Sequence, residues 1–166
     1  SPTMMAAFLY LGAGLGLLIY SFFTRKNEKN EPLTKEDLPY TIGMIVLDIA
    51  APILLMLGLQ QTNSANASLL NNFEIVATSL IAFLVFREKL SKRLTTAILL
   101  VTVASIALSF EGEGSFQFST GSLLVLAAAC CWGLENNCTR MISNKSSVQI
   151  TTIKGIFSGL GSLMVA

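Results

Sequence analysis

The chain has 166 residues, of which 52% are hydrophobic and 13% charged, with a net charge of +1 and no histidine. Soluble domains carry about a quarter charged residues, so this composition excludes an ordinary soluble globule, and the net charge says nothing about nucleic acid, because the basic residues sit in loops between apolar blocks. The apolar residues lie in long blocks with most of the charges between them, which is the pattern of a polytopic membrane protein.

A bilayer core of about 30 Å requires about 20 apolar residues in a helix. Six blocks meet that length or come close to it: Met4–Thr24, Leu38–Gln60, Ala65–Phe86, Leu94–Phe110, Ser119–Thr139 and Val148–Ala166. Backbone groups in hydrocarbon must be satisfied within the segment, so the blocks are read as α-helices. The shorter alternating segments of a β-barrel are absent. Runs such as Leu80–Phe86 and Ala97–Val101 are apolar all round, whereas soluble bundle helices keep a polar stripe. The predicted fold class is all-α, a polytopic transmembrane helix bundle.

The loops set the orientation. Arg25, Lys26, Lys29 and Lys35 follow the first span, Arg87, Lys89, Lys92 and Arg93 the third, and Arg140 and Lys145 the fifth. The loops at 61–64 and 111–118 hold no Lys or Arg. By the positive-inside rule, 25–37, 87–93 and 140–147 are cytoplasmic and the first span runs from outside to inside. Because the chain begins Ser1-Pro2-Thr3 and stops in an apolar run, further sequence is expected on both sides.

A shift of 145 residues lays the first span on the sixth, with Ser1 on Ser146, Gly14-Leu15-Gly16 on Gly159-Leu160-Gly161 and Leu18 on Leu163. The bases follow the first span but precede the sixth, so the two copies point in opposite directions. That is the mark of an inverted repeat of five spans, and it predicts a ten-helix protein of which numbers two to seven are present here.

At this point a resemblance becomes specific. The stretch Asn63-Ser64-Ala65-Asn66-Ala67-Ser68-Leu69-Leu70, then an apolar run ending Phe86-Arg87-Glu88-Lys89-Leu90, resembles the EamA-type domain of the drug/metabolite transporter superfamily. The block Cys131-Trp132-Gly133-Leu134-Glu135-Asn136-Asn137 looks like the start of such a protein's second half, with the family's usual tryptophan. Family members often have proline where this chain reads Asn71-Asn72-Phe73-Glu74, so a helix break in the third span loses its usual cause. The resemblance implies a ten-helix permease of two inverted halves, divided here into 1–114, a first half lacking its first helix, and 115–166, the start of the second. It implies a central substrate cavity and names no substrate.

Four ionisable residues fall inside spans: Asp48, Glu74, Glu135 and Lys154. Each costs roughly 2.5–3.5 kcal/mol to insert at mid-membrane. Asp48 lies about 15 Å from the inner end of its span and Glu74 about 14 Å from the outer end of the next, which puts both acids near the midplane. Close carboxylates of this kind suit proton coupling, while the bland alternative is an acid hydrogen-bonded to a neighbouring amide. Pro52 follows Asp48 by one turn, frees the Asp48 carbonyl and predicts a kink. Asn71, Glu74 and Thr78 share one helix face and are expected to bind solute or proton. Glu135 and Lys154, on consecutive spans, are expected to pair as a structural lock. Lys154 is also a candidate for the solute's anionic group. Gly12-x-x-x-Gly16 and Gly155-x-x-x-Gly159 predict close helix packing. Cys130, Cys131 and Cys138 are read as small apolar side chains, with no metal site.

No GxxxxGK[ST] or HExxH motif occurs, so an ATP-driven pump or a metalloprotease is not expected. The reading is a secondary transporter, not an enzyme, that moves a small polar solute or metabolite by alternating access with proton coupling. An intramembrane enzyme and a non-transporting scaffold are the alternatives. No cofactor is expected. The expected partners are a small-molecule solute, protons and the lipid bilayer of the plasma membrane (a bacterial inner membrane), with a homodimer allowed and no nucleic acid.

Overall fold

The computed structural model describes residues 2–24, 31–89, 91–109 and 120–165. Seven α-helices occupy them: α1 Pro2–Thr24, α2 Leu38–Leu59, α3 Ser64–Asn71, α4 Phe73–Leu84, α5 Lys92–Ser109, α6 Thr120–Met141 and α7 Ser147–Val165. A 3-10 turn, Lys35–Asp37, leads into α2. Among the described residues there is no strand, and one isolated bridge pairs Glu31 with Lys145. Among the described residues three stretches are long and apolar enough to cross a membrane, Lys35–Leu59, Asn66–Leu84 and Ser147–Val165, and the apolar part of α1, Ala7–Phe23, is somewhat shorter. This is an all-α membrane fold. α6 falls outside that set because the run Glu135-Asn136-Asn137 lowers its hydropathy. The expected external loop 111–118 lies outside the described residues.

The third expected span is not one helix. It divides at Asn72, between α3 and α4. Asn72 keeps right-handed dihedrals (φ −62°, ψ −19°). Its N–H donates to Leu69 O at 3.2 Å, and its own carbonyl accepts from Ile75 N at 3.2 Å. The ladder thus tightens to i→i−3 for one turn, without a proline. Asparagine weakens helix interiors by competing for backbone partners, and two in succession stand here. α3 starts on Asn63, whose side chain accepts from Asn66 N at 2.7 Å, an ordinary N-cap. Beyond α4, Arg87 adopts φ 53°, and the next N–H, that of Glu88, turns back to Ala82 O at 3.0 Å.

The chain forms two compact units. The first comprises 1–52 and 138–166, and the second 53–137, so the chain passes from one to the other inside α2 at Pro52 and returns inside α6. The helix continues through Pro52.

In the first unit α1 packs along α7. A Cβ added at Gly155 would lie 2.6 Å from Gly14 Cα and 2.8 Å from Tyr10 O, and one added at Gly159 would lie 2.9 Å from Leu11 N. The backbones therefore touch, as small residues permit. Gly155 and Gly159 act as the sequence predicts. On α1 the contact is made by Gly14, while Gly12 and Gly16 have nothing near them. Met44, Cys138, Ile142 and Ile150 form the apolar core at the other end.

A polar junction closes that end. Ser146 N donates to Glu31 O at 3.1 Å, and Leu33 N donates to Gln149 Oε1 at 3.1 Å. Lys145 Nζ lies 3.2 Å from Glu31 Oε2 and 3.7 Å from Asp37 Oδ2. The hydrogen bond to Glu31 is the largest influence holding the lysine above its ordinary value of 10.5, with partial burial acting the other way. Two loops that the charge pattern places on one side of the membrane thus meet each other.

In the second unit α5 packs against α3 and α4, and Ala67, Leu70 and Val125 form the core. Gly133 of α6 sits against α4, where its Cβ would lie 2.8 Å from Thr78 N. The outward surfaces are apolar: Phe23 is 86% exposed in one unit and Leu84 69% in the other. Buried positions include polar groups such as Asp48 and Ser158 in the first unit and Glu135 and Asn137 in the second. Apolar outside and polar within is the arrangement a hydrocarbon solvent selects.

Candidate functional site

The expected polar residues fall into two groups, one in each unit. In the second unit, Asn71, Glu74 and Thr78 lie on successive turns across α3 and α4. α6 supplies what the sequence left unassigned. Asn136 Nδ2 donates to Glu74 Oε1 at 3.0 Å and reaches Thr78 Oγ1 at 3.3 Å. Asn137 Nδ2 donates to Thr78 O at 2.9 Å and to Gly133 O at 2.8 Å. The Thr78 hydroxyl donates to Glu74 O at 2.8 Å. Asn137 is buried and its amide ties α6 to α4, whereas Asn136 is exposed and holds the carboxylate itself. The Asn71 side-chain oxygen is buried and accepts no hydrogen bond. The Glu74 carboxylate and the Asn136 amide thus stand together beside Thr78, with the buried Asn71 oxygen one turn earlier in the chain.

In the first unit Asp48 is 1% exposed. Its Oδ1 accepts from Tyr10 OH at 3.2 Å, and its Oδ2 lies 3.7 Å from Lys154 Nζ. α1, α2 and α7 each contribute one member of this trio. The close α1–α7 packing makes it possible, because it brings Tyr10 and Lys154 to the same region of α2. Glu135, the partner expected for Lys154, is buried in the second unit, so that pairing stays an expectation. Among the described residues no group of three or more His, Cys, Asp or Glu side chains could hold a metal ion.

The EamA-like transporter family model matches residues 1–110, two thirds of the chain. The chain belongs to the EamA-like transporter family. One relative is an uncharacterized transporter of Methanothermobacter thermautotrophicus, 28% identical over 179 residues, covering 99% of this chain and 52% of that protein. Another is the uncharacterized transporter YyaM of Bacillus subtilis, 22% identical over 169 residues, covering 99% and 55%. The chain spans about half the length of the curated relatives it matches. In this EamA-family chain Tyr10, Asp48, Glu74 and Thr78 lie within the matched residues, whereas Asn136, Asn137 and Lys154 lie beyond them. The sequence signal for the two asparagines was there, an amide pair beside Glu135 in an apolar block. Their helix depth alone does not reveal the partner on α4.

Proposed function

We propose that this chain is part of a secondary carrier that moves a small polar solute or metabolite across the plasma membrane by alternating access, coupled to protons. The observation that carries the reading is Glu74. It is an acid in an apolar helix, held by Asn136 from a second helix, with Asn71 and Thr78 on the neighbouring turns. Such a residue is costly to insert and is normally kept for a solute or ion pathway. Asp48 is the second acid of the pathway, and Lys154 takes an anionic group of the solute.

The α1–α7 contact supports the inverted repeat. Gly14 approaches Ile156, and Leu11 approaches Gly159. Under the 145-residue shift Gly14 becomes Gly159 and Leu11 becomes Ile156, so one contact maps onto the other with the helices exchanged. The Tyr10–Gly155 approach maps onto itself. A two-fold axis through the crossing of two copies produces such reciprocal contacts. Accordingly 1–114 belongs to a first half lacking its first helix and 115–166 opens the second. The whole protein has ten helices, lies in the bilayer without a cofactor and takes solute and protons as its ligands.

The test is uptake of labelled metabolites into proteoliposomes holding the full-length protein. Glu74→Gln should abolish pH-driven uptake while expression and span number stay intact. Wild-type uptake and pH dependence in that variant would remove Glu74 from the mechanism. No uptake of any solute by the unaltered protein would remove the carrier reading.

A further inference from the structure

We propose that the side of α1 formed by Leu9, Ala13 and Gly16 is a protein interface, closed by a later helix of the same protein: the one that repeats α2, 145 residues on from Leu38–Leu59. This rests on the inverted-repeat reading above and adds which face of α1 is covered and by which residues.

Under the 145-residue shift α1 and α7 can be compared position by position. On the side where they meet, they agree. Ala7 and Gly14 of α1 are buried, and so are their counterparts Thr152 and Gly159 of α7. On a second side they differ. Lys154, Ser158 and Gly161 follow i, i+4, i+7 spacing and share a face of α7, and that face meets α2. Lys154 reaches Asp48, Ser158 is 0% exposed, and a Cβ added at Gly161 would lie 2.8 Å from Ile49 Cγ1. The counterparts on α1 are Leu9, Ala13 and Gly16, which share a face by the same spacing. All three are exposed, Leu9 by 68%. Nothing among the described residues comes within 4 Å of a Cβ added at Gly16. Gly161 and Gly16 are the same notch in two copies, and Ile49 seats in the first.

Symmetry names what seats in the second. The two-fold axis that exchanges α1 and α7 carries α2, packed on α7, onto a helix packed on α1. The residue that meets Gly16 is then the one 145 places after Ile49, and the residue beside Leu9 is the one 145 places after Asp48. The direction agrees as well. By the charge pattern α2 and α7 both run outward. A helix entered from the outer end of α7 runs inward, parallel to α1, as the image of α2 must. The curated relatives extend well beyond the stretch they share with this chain, which is 52% and 55% of their length, and that length accommodates such a helix.

The energetics favour a helix over lipid at this place. A backbone notch gains little from mobile acyl chains, whereas a fixed side chain seated in it makes close dispersion contacts. Small size alone does not mark the interface. Gly12 is also bare, but its counterpart Phe157 is 54% exposed, so the symmetry leaves Gly12 facing lipid while Gly16 is covered.

The test uses the full-length protein in a Cys130→Ala, Cys131→Ala, Cys138→Ala background. Gly16→Cys is paired with a cysteine 145 places after Ile49, and Leu9→Cys with one 145 places after Asp48. Partners placed two residues further on, which point to the opposite side of that helix, are the controls. A disulfide needs Cα atoms about 4.4–6.8 Å apart. A protease site inserted in the 140–147 loop separates the two cysteines, so an internal disulfide holds the cleaved pieces together until reduction. Both pairs should close under mild oxidation in membranes, and the controls should not. A cysteine-free readout accompanies them: Gly16→Leu should lower the melting temperature of the full-length protein by several degrees, and Gly12→Leu should leave it nearly unchanged. A disulfide between two chains through Gly16→Cys alone would make a second copy the occupant and overturn the proposal. Absence of an internal disulfide in both pairs, or equal melting of Gly16→Leu and Gly12→Leu, would leave this face to lipid and overturn it as well. A full-length sequence with no apolar block 145 residues on from α2 would remove the inverted-repeat reading itself. A block that is present but joins neither pair removes this inference alone.

Discussion

Gly155→Ala tests whether α1 and α7 really touch through their backbones. The added Cβ would meet Gly14 Cα at 2.6 Å, Gly14 N at 2.7 Å and Tyr10 O at 2.8 Å, where ordinary contact begins at 3.4 Å. All three are main-chain atoms, so no side chain can swing aside, and the helices must part by about 0.8 Å. A gap of about 0.5–1 Å already forfeits a quarter to a half of the dispersion attraction across it. Overpacking of this kind costs about 1–3 kcal/mol. Alanine returns about 1 kcal/mol of helix propensity, which leaves a net loss of up to about 2 kcal/mol. Gly12→Ala makes the same chemical change on a face with nothing within 4 Å, so it should gain up to about 1 kcal/mol from propensity alone. Thermal unfolding in a mild detergent should therefore separate the two variants by a few degrees, at about 2–4 °C per kcal/mol. A Gly155→Ala protein that melts at or above Gly12→Ala would refute backbone contact at this crossing.

The remaining predictions concern the polar residues. Asn137→Ala should lower stability by about 1 kcal/mol, since it removes the amide bond to Thr78 O that joins α6 to α4, along with one to Gly133 O inside α6; Asn136→Ala should leave the melting temperature nearly unchanged and weaken solute uptake. Equal losses of stability would mean that Asn136 is structural as well. Arg87→Gly and Arg87→Ala both remove the charge, so their difference isolates the backbone: glycine should be favoured by about 1 kcal/mol at φ 53°, as read from paired melting curves. Lys145→Met should speed amide hydrogen exchange at 31–37, where Glu31 and Asp37 lose their shared cation. Because the Lys145 value is raised in the folded protein, its contribution is full below 10.5 and fades as pH climbs through the raised value. Exchange at 31–37 in the unaltered protein should accelerate in that alkaline range and not before it.

The helices were legible because hydrocarbon demands long apolar blocks, and five of the six spans end within a few residues of the expected bounds. The meeting of the loops around Glu31 and Lys145 was not legible, because charge asymmetry assigns loops to one side of the membrane and does not say which of them touch. The break at Asn72 was not, since the reading looked for proline and the chain uses a pair of asparagines instead. Nor was the choice of Gly14 over Gly12 and Gly16: spacing identifies a stripe of small residues, but only the partner helix decides which edge of it is covered. Lys154 shows the deeper limit. Nothing in a single sequence reveals that α2 brings Asp48 to this lysine. Depth can be counted along a helix, whereas the pairing of distant helices cannot.

The crossing of α1 and α7 has a mechanical consequence. Two glycine backbones that meet at a point resist sliding, because each Cα sits in the other's surface. They resist tilting less, because the closest approach, Gly14 on Gly155, is backbone against backbone, with the Leu11 and Ile156 side chains only flanking it. The crossing can therefore serve as a pivot. Tyr10 and Lys154 sit close to it, Tyr10 through its own carbonyl against Gly155 and Lys154 as the preceding residue. A change of tilt would swing the phenol and the ammonium by different arcs past the Asp48 carboxylate, so that the tilt of the two helices and the grip on that acid would move as one.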